Sequence, residues 1–204
     1  MAVASVAAVA VALAWATRAG HETGPVSAAP TVGRESATVP AANRTQMPIP
    51  VRVVIPAIGV DARIEQLGLN VDRTMQVPGS LADAGWFQPG PEPGETGAAV
   101  IVGHLNSTRG QGVFAHLSSL RRGQLIVVYL RDGSRVRFVA RSMLRVSKSR
   151  FPTKLVYAKT SKPTLRVITC AGWLDPATRH HADNYIVFAS LLDVRRSAHG
   201  GVKA

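Results

Sequence analysis

The chain has 204 residues, 46% hydrophobic and only 5% aromatic, so one ordinary domain must build its core on Val, Leu, Ile and Ala. Lys and Arg number 24 against 12 Asp and Glu, and the net charge of +12 draws polyanions. The basic residues are dispersed, with no aromatic platform or recognition-helix motif beside them, which excludes nucleic acid as a partner; an anionic cell envelope suits the charge as well. Residues 2–16 are apolar apart from Ser5, a run shorter than the roughly 20 residues that cross a bilayer comfortably. It resembles the apolar core of an export signal, and Ala14-Trp15-Ala16 has the small-x-small pattern of a cleavage site. Residues 1–19 are therefore read as an export signal or membrane anchor. Residues 20–50, rich in Ala, Pro, Thr, Ser and Gly without hydrophobic periodicity, are read as a disordered spacer. This places the protein at the extracytoplasmic face of a membrane, held by its N-terminal segment, or secreted if that segment is cut.

The folded domain is expected over residues 51–193, followed by a basic tail over 194–204. Strand-like runs fall at 52–55, 62–66, 74–77, 98–102, 125–130, 135–144, 165–169 and 185–191. Asp132-Gly133 between two of them is a hairpin signal. Short runs separated by Pro- and Gly-bearing turns predict an all-β barrel or sandwich. Helical pattern is scarce: residues 112–120 predict one short helix, and 149–156 a turn or so.

Cys170 is the single cysteine, so an exported chain carries it as a free thiol through an oxidising compartment. A buried core cysteine is the ordinary alternative, but an exposed risk of oxidation favours a thiol with a use. Cys170 follows the apolar run Leu165-Arg166-Val167-Ile168 and Thr169, at the end of a predicted strand. A working thiol needs a base or cation, because the thiolate is the nucleophile. His21 and His199 lie in the spacer and the tail, and His116 falls in the predicted helix. His180 and His181 are plausible loop residues near the cysteine. His104 is the best candidate: it follows the apolar run 98–102 and Gly103, so it too sits past the end of a strand. Neighbouring parallel strands would bring the two side chains to one rim. A thiolate attacking a carbonyl also needs a donor for the oxyanion, and Arg179 and Arg109 are the local choices.

Gly-His after a mid-chain strand, Thr-Cys-x-Gly after a late one, and Asp183-Asn184 opening the last strand together resemble a sortase. The resemblance is nearest the class F sortases of actinobacteria. It runs through Thr169, Cys170, Gly172, Asp175, His180, Asp183, Asn184 and Val187 on the cysteine side. On the histidine side it takes in Gly103, His104, Ser107, Gly110, Val113 and Phe114, and Ile55-Pro56 with Ile58-Gly59-Val60 resembles the opening strands. The resemblance implies an eight-stranded sortase-type β-barrel with one or two short helices. It implies a cysteine transpeptidase in which Cys170 attacks a Leu-Pro-x-Thr-Gly-like C-terminal sorting signal of exported proteins. The thioester then passes to an amine acceptor, in the family usually a cell-wall precursor, with His104 as general acid and base. That chemistry requires no metal or organic cofactor. The pattern departs from the family where Ala182 stands in place of the arginine before Asp183-Asn184, which leaves Arg179 as the substitute. Ala171, Trp173, His181 and Asn106 are further departures. Two alternatives stay open: a cysteine endopeptidase that releases the acyl-enzyme to water, and an inactive module that only binds peptide.

Overall fold

The computed structural model describes residues 47–176, 178 and 180–197. The expected export segment, most of the spacer, Arg179 and the end of the tail lie outside the described residues. No helix among the described residues is long and apolar enough to cross a membrane. The strands are β1 (Pro50–Ile55), β2 (Val60–Leu67), β3 (Ala84–Phe87), β4 (Gly97–Gly103), β5 (Asn106–Ser107), β6 (Gly110–Gln111), β7 (Leu125–Leu130), β8 (Arg135–Ser147), β9 (Pro163–Leu174) and β10 (His181–Arg195). Eight of them close into a barrel in the order β1-β2-β3-β4-β9-β10-β8-β7, and β5 with β6 forms a separate ribbon. Two neighbouring pairs, β2 with β3 and β4 with β9, run parallel; the others are antiparallel. Among the described residues helix is confined to one α-helical turn, α1 (Thr153–Val156), and three 3-10 turns. The expected all-β eight-stranded barrel is what the chain forms.

Two apolar layers explain the continuous hydrophobic runs. Alternation along a strand sends neighbouring side chains to opposite faces. In β4, Ala99 and Ile101 enter the barrel core, while Val100 and Val102 point outward into a second cluster. β9 divides the same way, with Leu165 and Val167 inside and Ile168 outside. The barrel core is closed by Trp86, Phe114 and Phe138, all buried. The outer layer is covered from two sides. Met75 comes from the β2–β3 connection, and Phe151, Val156 and Tyr157 come from the β8–β9 connection that carries α1. A strand buried on both faces reads as an unbroken apolar run, and so these two strands stand out.

Two elements differ from expectation. Residues 74–77 form no barrel strand: the segment folds back on the end of β2 through one bridge, Leu69 to Met75, with Gln76 N–H donating to the Gly68 carbonyl at 3.1 Å. The barrel place goes instead to β3, four buried residues, Ala84-Gly85-Trp86-Phe87, that pair in parallel with β2. The expected helix over 112–120 shrinks to a 3-10 turn, Leu117–Ser119. Phe114, Leu117 and Leu120 are all buried, and their three-residue spacing fits the tighter 3-10 period. The Asp132-Gly133 hairpin does join β7 to β8, with Asp132 accepting from the Ser134 N–H at 2.9 Å.

The β3–β4 connection holds a pair of carboxyls. Glu95 accepts from the Met47 N–H at 3.0 Å and from the Glu92 N–H at 3.4 Å. Burial, and then a hydrogen bond with Glu95, pushes the Glu92 carboxyl from 4.5 up to about 7. A raised folded value means the fold favours the protonated form. Its contribution to stability is complete below pH 4.5, declines as the pH rises, and is gone above about pH 7. After solvent screening it amounts to on the order of 1 kcal/mol. Glu92→Gln is expected to raise the melting temperature at pH 8 by about 2–4 °C and to flatten its pH dependence between 4.5 and 7, measured by thermal melts across that range.

Candidate active site

The parallel pairing of β4 with β9 aligns Val102 with Ile168 as its last registered pair. Two residues further on come His104, just past β4, and Cys170. Cys170 lies within β9 and not beyond its end as expected, because β9 continues to Leu174 by pairing with β10. The side-chain period of two returns both residues to the outer face. The end of β4 is tied to β9, because the buried Thr169 hydroxyl donates to the Gly103 carbonyl at 2.9 Å. His104 and Cys170 therefore share one rim of the outer layer. They stand between the two segments that cover it.

Each covering segment reaches one of the two residues. From the β2–β3 connection, the Pro78 carbonyl accepts a hydrogen bond from His104 Nε2 at 2.8 Å. A carbonyl can only accept, so Nε2 carries the proton and the lone pair of the neutral ring lies on Nδ1. The His104 backbone is held as well: its carbonyl accepts from the Phe114 N–H at 2.9 Å. From the other side, Lys148, in the 3-10 turn Lys148–Arg150 after β8, is the cation that acts on the Cys170 thiol. Cys170 is only 7% exposed. Burial pushes its thiol above the ordinary cysteine value, and the charge and hydrogen bond of Lys148 pull the opposite way without overcoming burial. The resting thiol is thus mostly neutral at pH 7, and making the nucleophile requires a proton acceptor at the rim.

Across from Cys170 in the β9–β10 register is Asn184, fully buried, with neither amide atom engaged by a protein partner. Ala182, two residues earlier on β10, lies at a bulge between His181 and Asp183 and is exposed. His181 links β9 to β5: its Nδ1 donates to the Gly172 carbonyl at 2.9 Å, and its Nε2 lies 2.9 Å from Asn106 Oδ1. Arg179 lies outside the described residues. Arg109 is exposed at the β5–β6 turn, its backbone N–H donating to Ser107 Oγ at 3.0 Å. His180 is half-buried with no protein partner at Nδ1, and His116 precedes the 3-10 turn that plugs the barrel. Among the described residues no group of His, Cys, Asp or Glu could hold a metal ion. Sequence reasoning missed Pro78, which acts through its carbonyl, and Lys148, whose nearness to Cys170 exists only through the β8–β10–β9 pairing.

Gly103 fixes how closely this rim packs. A Cβ there would lie 2.5 Å from both the Phe114 ring and a Val113 methyl. Neither neighbour can yield freely, since Phe114 is part of the barrel plug. Gly103→Ala is expected to cost about 1–3 kcal/mol by overpacking and, by shifting His104, to lower turnover more than Cys170 alkylation. Thermal melts alongside both rates check this.

The sequence matches the model of the sortase domain over residues 53–192, more than half of the chain. No curated protein sequence matches it. Among solved structures it is similar to the lid mutant of sortase A from Corynebacterium diphtheriae, with 20% identity over 74% of each chain and a TM-score of 0.56. It is similar to sortase A from Listeria monocytogenes at 13% identity, covering 76% of this chain and 93% of that one with a TM-score of 0.57. Sortase C from Streptococcus pneumoniae gives 16% identity, 72% and 71% coverage and a TM-score of 0.56. At such identities these structures speak for the fold, while the domain match speaks for the family: this chain belongs to the sortases.

Proposed function

We propose that the chain is a cysteine transpeptidase of class F character that cleaves a Leu-Pro-x-Thr-Gly-like C-terminal sorting signal and joins the released protein to a cell-wall amine. The observation that carries this reading is the shared rim of His104 and Cys170, each two residues past the last registered pair of the parallel strands β4 and β9. In the active pair the Sγ proton has passed to His104, leaving a thiolate and an imidazolium. The thiolate attacks the Thr carbonyl carbon, and the carbonyl electron pair moves onto oxygen. Collapse restores the carbonyl, breaks the Thr–Gly C–N bond, and leaves a thioester while the departing amine takes the His104 proton. An incoming amine then attacks the thioester, gives its proton to His104 and expels the Cys170 thiolate. Proton donor and acceptor are the same ring in both halves, so the cycle closes without a cofactor.

Class F character rests on the residues from Thr169 to Val187 and from Gly103 to Phe114, with Ala182 the main departure. An export segment in residues 1–19 and a spacer to residue 50 would hold the domain at the outer face of the membrane. The test is product analysis of a Leu-Pro-x-Thr-Gly peptide library with and without a small amine. Amine-capped product exceeding hydrolysed product supports transpeptidation. Hydrolysis unaffected by amine makes the enzyme an endopeptidase, and no cleavage of any peptide makes it a binding module.

A further inference from the structure

The pairing that closes the barrel puts a cation beside the buried thiol from an unexpected strand. β8 and β10 align Ser147 with Asp183 and Val146 with Asn184. Asn184 in turn aligns with Cys170 on β9. Val146 packs on the outer cluster, so Lys148, one period further, leaves the strand on the face that carries Asn184 and Cys170. By the same count Lys148 follows the last registered pair, Ser147 with Asp183, and Ala182, the residue before Asp183, is small and exposed. Lys148 is half-buried, and no salt bridge among the described residues engages it. Its nearest basic neighbour on β8, Arg145, is committed elsewhere: Nε donates to Asp183 Oδ2 at 2.7 Å, on the opposite face parity.

We propose that Lys148 is a catalytic residue whose ammonium pairs with the Cys170 thiolate and then donates a hydrogen bond to the oxyanion formed on the carbon that the sulfur attacks. The second half of that role rests on the acyl-transfer reading above; the first does not. A lysine suits the place because its compact charge on a flexible stem can follow charge from sulfur to oxygen without giving up a proton. The groups around the thiol leave little competition. The residue after β4 is His104, β10 contributes the uncharged Ala182 and Asn184 with Asp183 turned to Arg145, and the turn after β8 contributes Lys148. The direction of the effect agrees, since Lys148 is the one residue that works against burial to favour the thiolate.

The experiment uses the full chain, and its thiolate arm needs no sorting signal. The rate of Cys170 alkylation by iodoacetamide is followed against pH for the wild type, Lys148→Gln, Lys148→Arg and the Lys148→Gln/Ala182→Arg double variant. Lys148→Gln is expected to move the midpoint up by about one pH unit, slowing alkylation at pH 7 about tenfold, and Lys148→Arg to keep it near the wild type. Recovery in the double variant shows that position 182 addresses the same charge. An unchanged profile in folded Lys148→Gln overturns the proposal. A shifted profile with unchanged kcat/KM on a cleaved peptide overturns the oxyanion half. A shifted profile in a protein that cleaves no peptide upholds the thiolate pairing and removes the transpeptidase reading instead.

Discussion

Cys170→Ala is expected to abolish acyl transfer, by about 10⁴-fold or more, while the melting temperature changes by only a few degrees. The chain holds no second cysteine to substitute for it. Its sulfur is buried but belongs to neither apolar cluster, so removing this small side chain leaves little unfilled volume. A loss on the order of 1 kcal/mol, or about 2–4 °C in a domain of this size, is the expected structural cost. Steady-state turnover and thermal melts on the same preparations measure the two effects. Residual turnover above about 1% would place the nucleophile elsewhere. Cys170→Ser sharpens the result, because a hydroxyl keeps the shape but ionises far less readily, and it should be nearly as inactive.

His104→Ala is expected to lower kcat/KM by about 10²- to 10⁴-fold, the usual worth of a positioned general acid and base. The same variant should still be alkylated at Cys170 by a small reagent at high pH, where hydroxide can take the thiol proton. That split separates a proton-transfer role from a scaffolding one. If His104 served only to anchor the β2–β3 connection through its bond to the Pro78 carbonyl, His104→Gln, which can keep an N–H at that point, would retain most of the activity. Loss in both variants assigns the proton transfer to the ring.

What could be read in the sequence was what local pattern encodes. β4 and β9 announce themselves because both their faces are buried, and Gly103-His104 does end the first, but Thr169-Cys170 does not end the second, which runs on to Leu174 by pairing with β10. Their parallel pairing could be anticipated only as a condition for the two side chains to meet. β3 escaped because it is short and because Leu67 occupies the space a Cβ on Gly85 would take, so its packing is written in a neighbour's side chain. Residues 74–77 have strand-like composition, but Met75 is buried against the outer cluster, and burial was what the apolar pattern reported. Lys148 lay beyond any local signal, since 22 positions separate it from Cys170 in sequence and a third strand joins them.

The account turns on a thioester at Cys170, and acid-quenched intact-mass spectrometry of the full chain during reaction with a cleaved sorting peptide tests it most directly. The predicted spectrum shows the protein plus the peptide's N-terminal fragment through Thr, a species that hydroxylamine discharges and that Cys170→Ala never forms. Product accumulating without that adduct, or an adduct that survives in Cys170→Ala, would contradict it.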